Sequence, residues 1–166
     1  MGNLIKKLKQ FYEKYEYQHH KIKPPPTRYW CEIYKVRGIN PATKRKKSIE
    51  VVAASNDSTE TIQSKSGLLP PYEVTIATRP ASNAQLEALR KHGITFLDDI
   101  SMADAGIFID RGVNEEPTSQ PVAPLRFMDY AIKNDIYLSK YASAEEARDL
   151  LLELLPENAK EIRSLK

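Results

Sequence analysis

Two segments of this chain carry the same punctuation 42 residues apart, and that repeat limits the fold more than any other feature. In the first copy Ser82, with Gln85 three residues on, has the form of a helix-starting capping box. The apolar residues Leu86 and Leu89 follow, and Gly93-Ile94 marks the stop. Ser101 with Asp104 then opens a second helix carrying Ala105, Phe108 and Ile109. In the second copy Met128 and Ala131 take the places of Leu86 and Leu89, and Ile136 that of Ile94. Ser143 answers Ser101, Glu146 answers Asp104, Ala147 answers Ala105, and Leu150 and Leu151 answer Phe108 and Ile109. One copy has too little apolar surface to fold alone. The expectation is therefore that residues 82–166 form a single unit, with the matched apolar positions facing each other and Val113 to Pro124 as the connection.

The order helix, Gly-Ile, extended loop, capped helix resembles the helix–extended-loop–helix repeats of the SAP and LEM type. The spacing Gln85-Leu86, Leu89, Gly93-Ile94, then Ala105 and Ile109, also looks like short segments appended to many bacterial and phage nucleic-acid-handling proteins. The likeness covers residues 82–111 and, less closely, 124–155. In SAP domains DNA contact is attributed to basic residues around the loop and the second helix. Here the first loop, residues 95–100, is acidic through Asp98 and Asp99 and has no Lys or Arg, and the second offers only Lys140. Protein docking, as for LEM-type repeats, is what the resemblance implies for such a surface.

Residues 28–79 read as a ββαβ unit. Tyr29 to Val36 is rich in aromatic and β-branched residues, and Ser48 to Ala53 is its partner strand. Gly38, Asn40 and Pro41 mark the turn. Asp57 with Glu60 forms a second capping box for a helix that stops at Gly67, and Tyr72 to Ile76 is the third strand. With the repeats this predicts an α+β fold.

Residues 1–23 are a basic amphipathic helix and linker. Leu4, Ile5, Leu8, Phe11, Tyr12 and Tyr15 fall on one helical stripe, and Lys6, Lys7, Lys9 and Lys14 lie off it. Pro24 to Pro26 favour an extended rod, so this helix is expected to be detachable from the remainder.

Charge divides the chain. Residues 1–50 carry 13 Lys/Arg against 4 Asp/Glu, whereas residues 51–166 carry 12 against 18. Six cations, Lys35, Arg37, Lys44, Arg45, Lys46 and Lys47, fall within 13 residues around the expected turn. Drawn together by a hairpin they repel one another, and phosphate backbones are the commonest compensating partner. Trp30, just upstream, is a candidate for base stacking.

The catalytic inventory is thin. Cys31 is the only cysteine, so neither an internal disulfide nor a cysteine zinc cluster can form, which fits a cytoplasmic location. His19 and His20 are neighbours in the linker, and His92 adjoins a helix stop where it favours the dipole. Asp98, Asp99 and Asp104 lack the alternating ligands and Gly turn of a calcium loop. No catalytic residue, metal site or cofactor is expected. The reading is a non-enzymatic protein that binds nucleic acid, DNA or RNA, through the hairpin and the N-terminal helix. The repeats would dock a protein. The alternative is an adaptor or inhibitor, of the kind a phage or mobile element encodes, directed at a nucleic-acid-processing enzyme or complex. A membrane-surface protein anchored by residues 3–17 is the weakest of the three.

Overall fold

In a computed structural model, the structure describes residues 3–8, 28–97 and 99–166. The protein is α+β. Residues 3–8 are helical (α1), as expected, with all six exposed; the rest of the expected helix and the linker lie outside the described residues. The chain then divides into two compact units. One holds Pro26–Arg79 with Val122–Lys166, and the other includes Pro80–Pro121. The second repeat copy is thus grouped with the sheet, where the sequence reading grouped it with the first copy.

In the larger unit, β1 (Cys31–Ile39), β2 (Lys46–Ala54) and β3 (Leu69–Ile76) form an antiparallel sheet in the order β2-β1-β3. Both strands of the hairpin run further into the basic segment than the turn residues indicated. Gly38 pairs with Lys47 inside the ladder instead of making the turn. Lysines on an exposed strand face cost the ladder little, because alternate side chains point into solvent.

That alternation separates the two faces. Val36, Val51 and Ala53 turn to one side and close a core with Ile62 of α2 (Thr59–Ser66) and Leu68. The cap of α2 differs from the expected Asp57–Glu60 box: Ser58 is the N-cap and accepts the Thr61 N–H at 3.2 Å. The Asp57 carboxylate is engaged elsewhere, by the Ala54 N–H at 3.0 Å and by Lys65 at 3.8 Å.

The other face is covered at its Cys31 end by α5 (Leu125–Lys133). Fully buried Cys31 lies with Sγ 3.0 Å from Met128 Sδ, and the Tyr29 hydroxyl bonds to the Asp129 carboxylate. That carboxylate raises the Tyr29 pKa, mainly through the hydrogen bond. Asp135 Oδ1 accepts the N–H of Val52 on the edge strand at 3.0 Å. These bonds explain why the second copy joins the sheet. After it, α6 (Ala144–Leu154) and the short α7 (Ala159–Arg163) complete the unit through fully buried Leu151 and Ile162.

In Pro80–Pro121, α3 (Asn83–Lys91) and α4 (Met102–Val113) pack through Leu89, Ile94, Ala105 and Phe108, all nearly inaccessible to water. Buried Arg111 donates to the Thr118 carbonyl at 2.8 Å and so fastens the following segment.

The 42-residue repeat is also a repeat of backbone geometry within each copy. The Ile94 N–H donates to Leu89 O at 2.9 Å, and the Ile136 N–H to Ala131 O at 2.8 Å. Ala81 donates to Ile100 O at 2.9 Å, and Ala123 to Ala142 O at 2.8 Å. Ser82 with Gln85 and Ser143 with Glu146 are reciprocal capping boxes, while Ser101 Oγ accepts the Asp104 N–H. The copies part at two places. Pro124 stands where Ser82 caps α3, and α5 has no side-chain cap. The left-handed turn falls on Gly93 (φ 68) in one copy and on Asp135 (φ 57) in the other.

Candidate nucleic-acid interface

The cations singled out by sequence lie at one end of the β1–β2 hairpin. The strands close on the pair Ile39–Lys46, leaving residues 40–45 as the loop. Asn40 organises it. Its N–H donates to Arg45 O and its carbonyl accepts from Lys44, both at 2.8 Å, and its side chain accepts from Ala42 at 2.9 Å. Lys44 takes the left-handed conformation at φ 60 that completes the reversal. A β-branched residue there would be strained; a lysine on the solvent side is tolerated.

Lys44, Arg45, Lys46 and Lys47 are all exposed, and among the described residues none of them forms an ion pair. Lys35 and Arg37 project from the sheet face away from α2, opposite Val36. Arg37 lies 3.7 Å from Glu73, with both side chains more than 60% exposed, so that pair is weak. Lys6 and Lys7 are exposed on α1 beside exposed Leu4, Ile5 and Leu8. Lys9 and Lys14 lie outside the described residues.

Trp30 is set apart from this group. It precedes β1, at the opposite end of the strand from the loop. Its indole N–H donates to Glu32 Oε1 at 2.8 Å, and the Lys140 ammonium lies 4.9 Å from its ring centroid. Trp30 is half-buried and has a structural use already, joining β1 to the loop of the second repeat copy.

The possible reactive groups are similarly absorbed. Burial pushes the Cys31 thiol up to about 11, so it is a poor nucleophile at neutral pH. His92 is the C-cap of α3, with its ring against Gly112.

Sequence reading missed a cavity of about 520 Å³ on the uncovered end of the sheet. Arg37, Ile39, Lys46, Ser48, Pro71 and Glu73 line it. Gly38, Lys47 and Tyr72 between them also line it, so the lining is one short run from each of three strands, brought together by the strand register. Gly38 allows the close approach of β3: a Cβ there would stand 2.8 Å from Leu68 Cβ and 2.9 Å from Leu69 O. No helix of the described residues is long and apolar enough to cross a membrane. Comparison with known proteins gives no matching family model, no matching curated protein and no matching solved structure.

Proposed function

We propose that this is a non-enzymatic, cytoplasmic nucleic-acid-binding protein. Its phosphate contacts come from the hairpin cations and from the basic N-terminal helix, and its acidic repeats dock a protein. One observation carries the reading: Lys44, Arg45, Lys46 and Lys47 are exposed and, among the described residues, form no ion pair at the end of the β1–β2 hairpin. Four like charges held close together are unfavourable alone, and a polyanion that sheds counterions on binding relieves them. The docking role draws support from exposed Leu97 and Met102 near exposed Asp99 in Pro80–Pro121. Leu97 is 71% exposed, and an exposed apolar side chain two residues from exposed Asp99 suits a protein partner better than a phosphate backbone.

The test is fluorescence anisotropy with unrelated single- and double-stranded probes at several salt concentrations. Changing Lys44, Arg45, Lys46 and Lys47 to Ala is expected to weaken binding to every probe to a similar degree. The slope of log affinity on log salt is expected to fall by up to about 0.7–0.9 for each phosphate that the variant no longer neutralises. Circular dichroism of the variant is expected to match wild type, since exposed substitutions change stability by about 0.5 kcal/mol or less. A wild-type protein that binds no probe even at low salt removes this reading in favour of a protein-directed adaptor.

A further inference from the structure

We infer that the cavity on the open sheet face is a seat for one unpaired nucleotide, so that the ligand is single-stranded and the preferred base carries an exocyclic amine. This rests on the nucleic-acid reading above and deepens it, because the hairpin charges alone do not distinguish a single strand from a duplex.

The cavity holds about 520 Å³, within the range of small-ligand sites and ample for a base with its sugar. Its lining has three chemistries in one place. Arg37 and Lys46 supply positive charge at the strand ends, continuous with the exposed cations of the loop. Ile39 and Pro71 supply an apolar surface between them. Ser48 and Glu73 supply a hydroxyl and a carboxylate.

A site for phosphate alone has no use for the apolar surface and is opposed by Glu73. A nucleotide uses all three parts. Its phosphate meets the cations, the base plane lies against Ile39, Pro71 or the Arg37 guanidinium, and the base edge meets Glu73. A carboxylate only accepts hydrogen bonds at neutral pH. It therefore matches the exocyclic amine of cytosine, adenine or guanine, whereas the single N3–H of thymine lies between two carbonyl oxygens that repel the carboxylate. A base within a duplex has its pairing edge occupied and cannot turn it into a sheet-face cavity without unpairing.

The experiment uses the full chain in anisotropy titrations against oligo-dC, oligo-dT and a duplex of equal length, with Ser48→Ile and Glu73→Gln as variants. Ser48 is exposed on β2, and isoleucine suits a strand there, so Ser48→Ile fills the cavity and keeps every cation. Wild type is expected to bind oligo-dC roughly tenfold more tightly than oligo-dT. Ser48→Ile is expected to weaken oligo-dC binding by roughly tenfold while leaving the duplex unchanged. Glu73→Gln is expected to collapse the dC-to-dT ratio toward one, since an amide can turn either a donor or an acceptor to the base.

Equal affinity for all three probes, unmoved by Ser48→Ile, overturns the nucleotide seat while the hairpin reading stands. Equal weakening of single strand and duplex by Ser48→Ile overturns it too, because the cavity wall then contributes only to phosphate tracking. Failure to bind any probe is the different outcome that removes the parent reading.

Discussion

Asp135 gives the sharpest test of how the second repeat is held on the sheet. It sits at φ 57, where the other copy has Gly93 at φ 68, and spends its carboxylate on the Val52 N–H at 3.0 Å. Val52 is 9% exposed, so removing that acceptor orphans a nearly buried donor at a cost of about 1–3 kcal/mol. A residue with a plain Cβ also incurs about 1–2 kcal/mol in the left-handed conformation, which aspartate and asparagine offset by local hydrogen bonding. Three substitutions separate the two effects. Asp135→Ala loses both and is expected to destabilise by about 2–5 kcal/mol. Asp135→Gly loses the bond but relaxes the backbone, so about 1–2 kcal/mol is expected. Asp135→Asn keeps an acceptor and the turn, with a loss of about 1 kcal/mol or less. Urea unfolding followed by Trp30 fluorescence reads the relevant unit, because Trp30 is the chain's one tryptophan and Lys140 of the same unit lies over its ring. A Gly variant as stable as wild type would refute the hydrogen bond as a determinant. Equal losses for Ala and Gly would refute the backbone part.

Two further expectations concern β1. Gly38→Ala must move β3 away, given 2.8 Å to Leu68 Cβ and 2.9 Å to Leu69 O, and is expected to cost about 1–3 kcal/mol; a urea midpoint unchanged from wild type would show that β3 gives way freely. For Cys31, burial raises the thiol from 9.0 to about 11, so iodoacetamide at pH 8 is expected to label the native protein far more slowly than the unfolded chain. The folded value lies above the unfolded one, so this thiol's contribution to stability is complete below pH 9 and declines as pH rises through 11. Urea midpoints measured across that window are expected to fall more in wild type than in Cys31→Ala, and parallel pH profiles would exclude the thiol as the cause.

Much of the fold was legible because its signals are local. Ser82, Ser101 and Ser143 start helices in the structure at the positions their spacing indicated, Gly67 ends α2, and Gly93 makes the left-handed turn just after α3. A cap acts over three or four residues, so the sequence alone contains it. The errors fall where two local signals compete or a distant partner decides. Asp57 and Ser58 are both good caps, and the choice between them is made by the Ala54 N–H and Lys65. Gly38 reads as a turn residue until the crossing of Leu68 is known. The basic run 44–47 was visible as charge, but the seat formed by Arg37, Ser48 and Glu73 depends on which residues of three strands stand side by side. Nothing in a linear reading ties Ser48 to Glu73.

The departures from the 42-residue pattern explain the role of the aromatic residues. Where the first copy has Leu86, Glu87, Gly93 and Asp98, the second has Met128, Asp129, Asp135 and Lys140. Each of these four in the second copy has its partner on or beside the sheet: Met128 on Cys31, Asp129 on Tyr29, Asp135 on Val52 and Lys140 on Trp30. The second copy is therefore a repeat whose variable positions have been adapted to fit one strand pair. That fit draws Tyr29 and Trp30 into internal bonding at one end of β1. The other end is left with lysine, arginine and a small cavity. A sheet divided in this way has one end bonded to the second repeat copy and its charged end in solvent. In the nucleic-acid reading proposed above, a flexible polyanion gains from that division, since Lys35, Arg37, Lys46 and Lys47 stand on paired strands and only Lys44 and Arg45 on the loop.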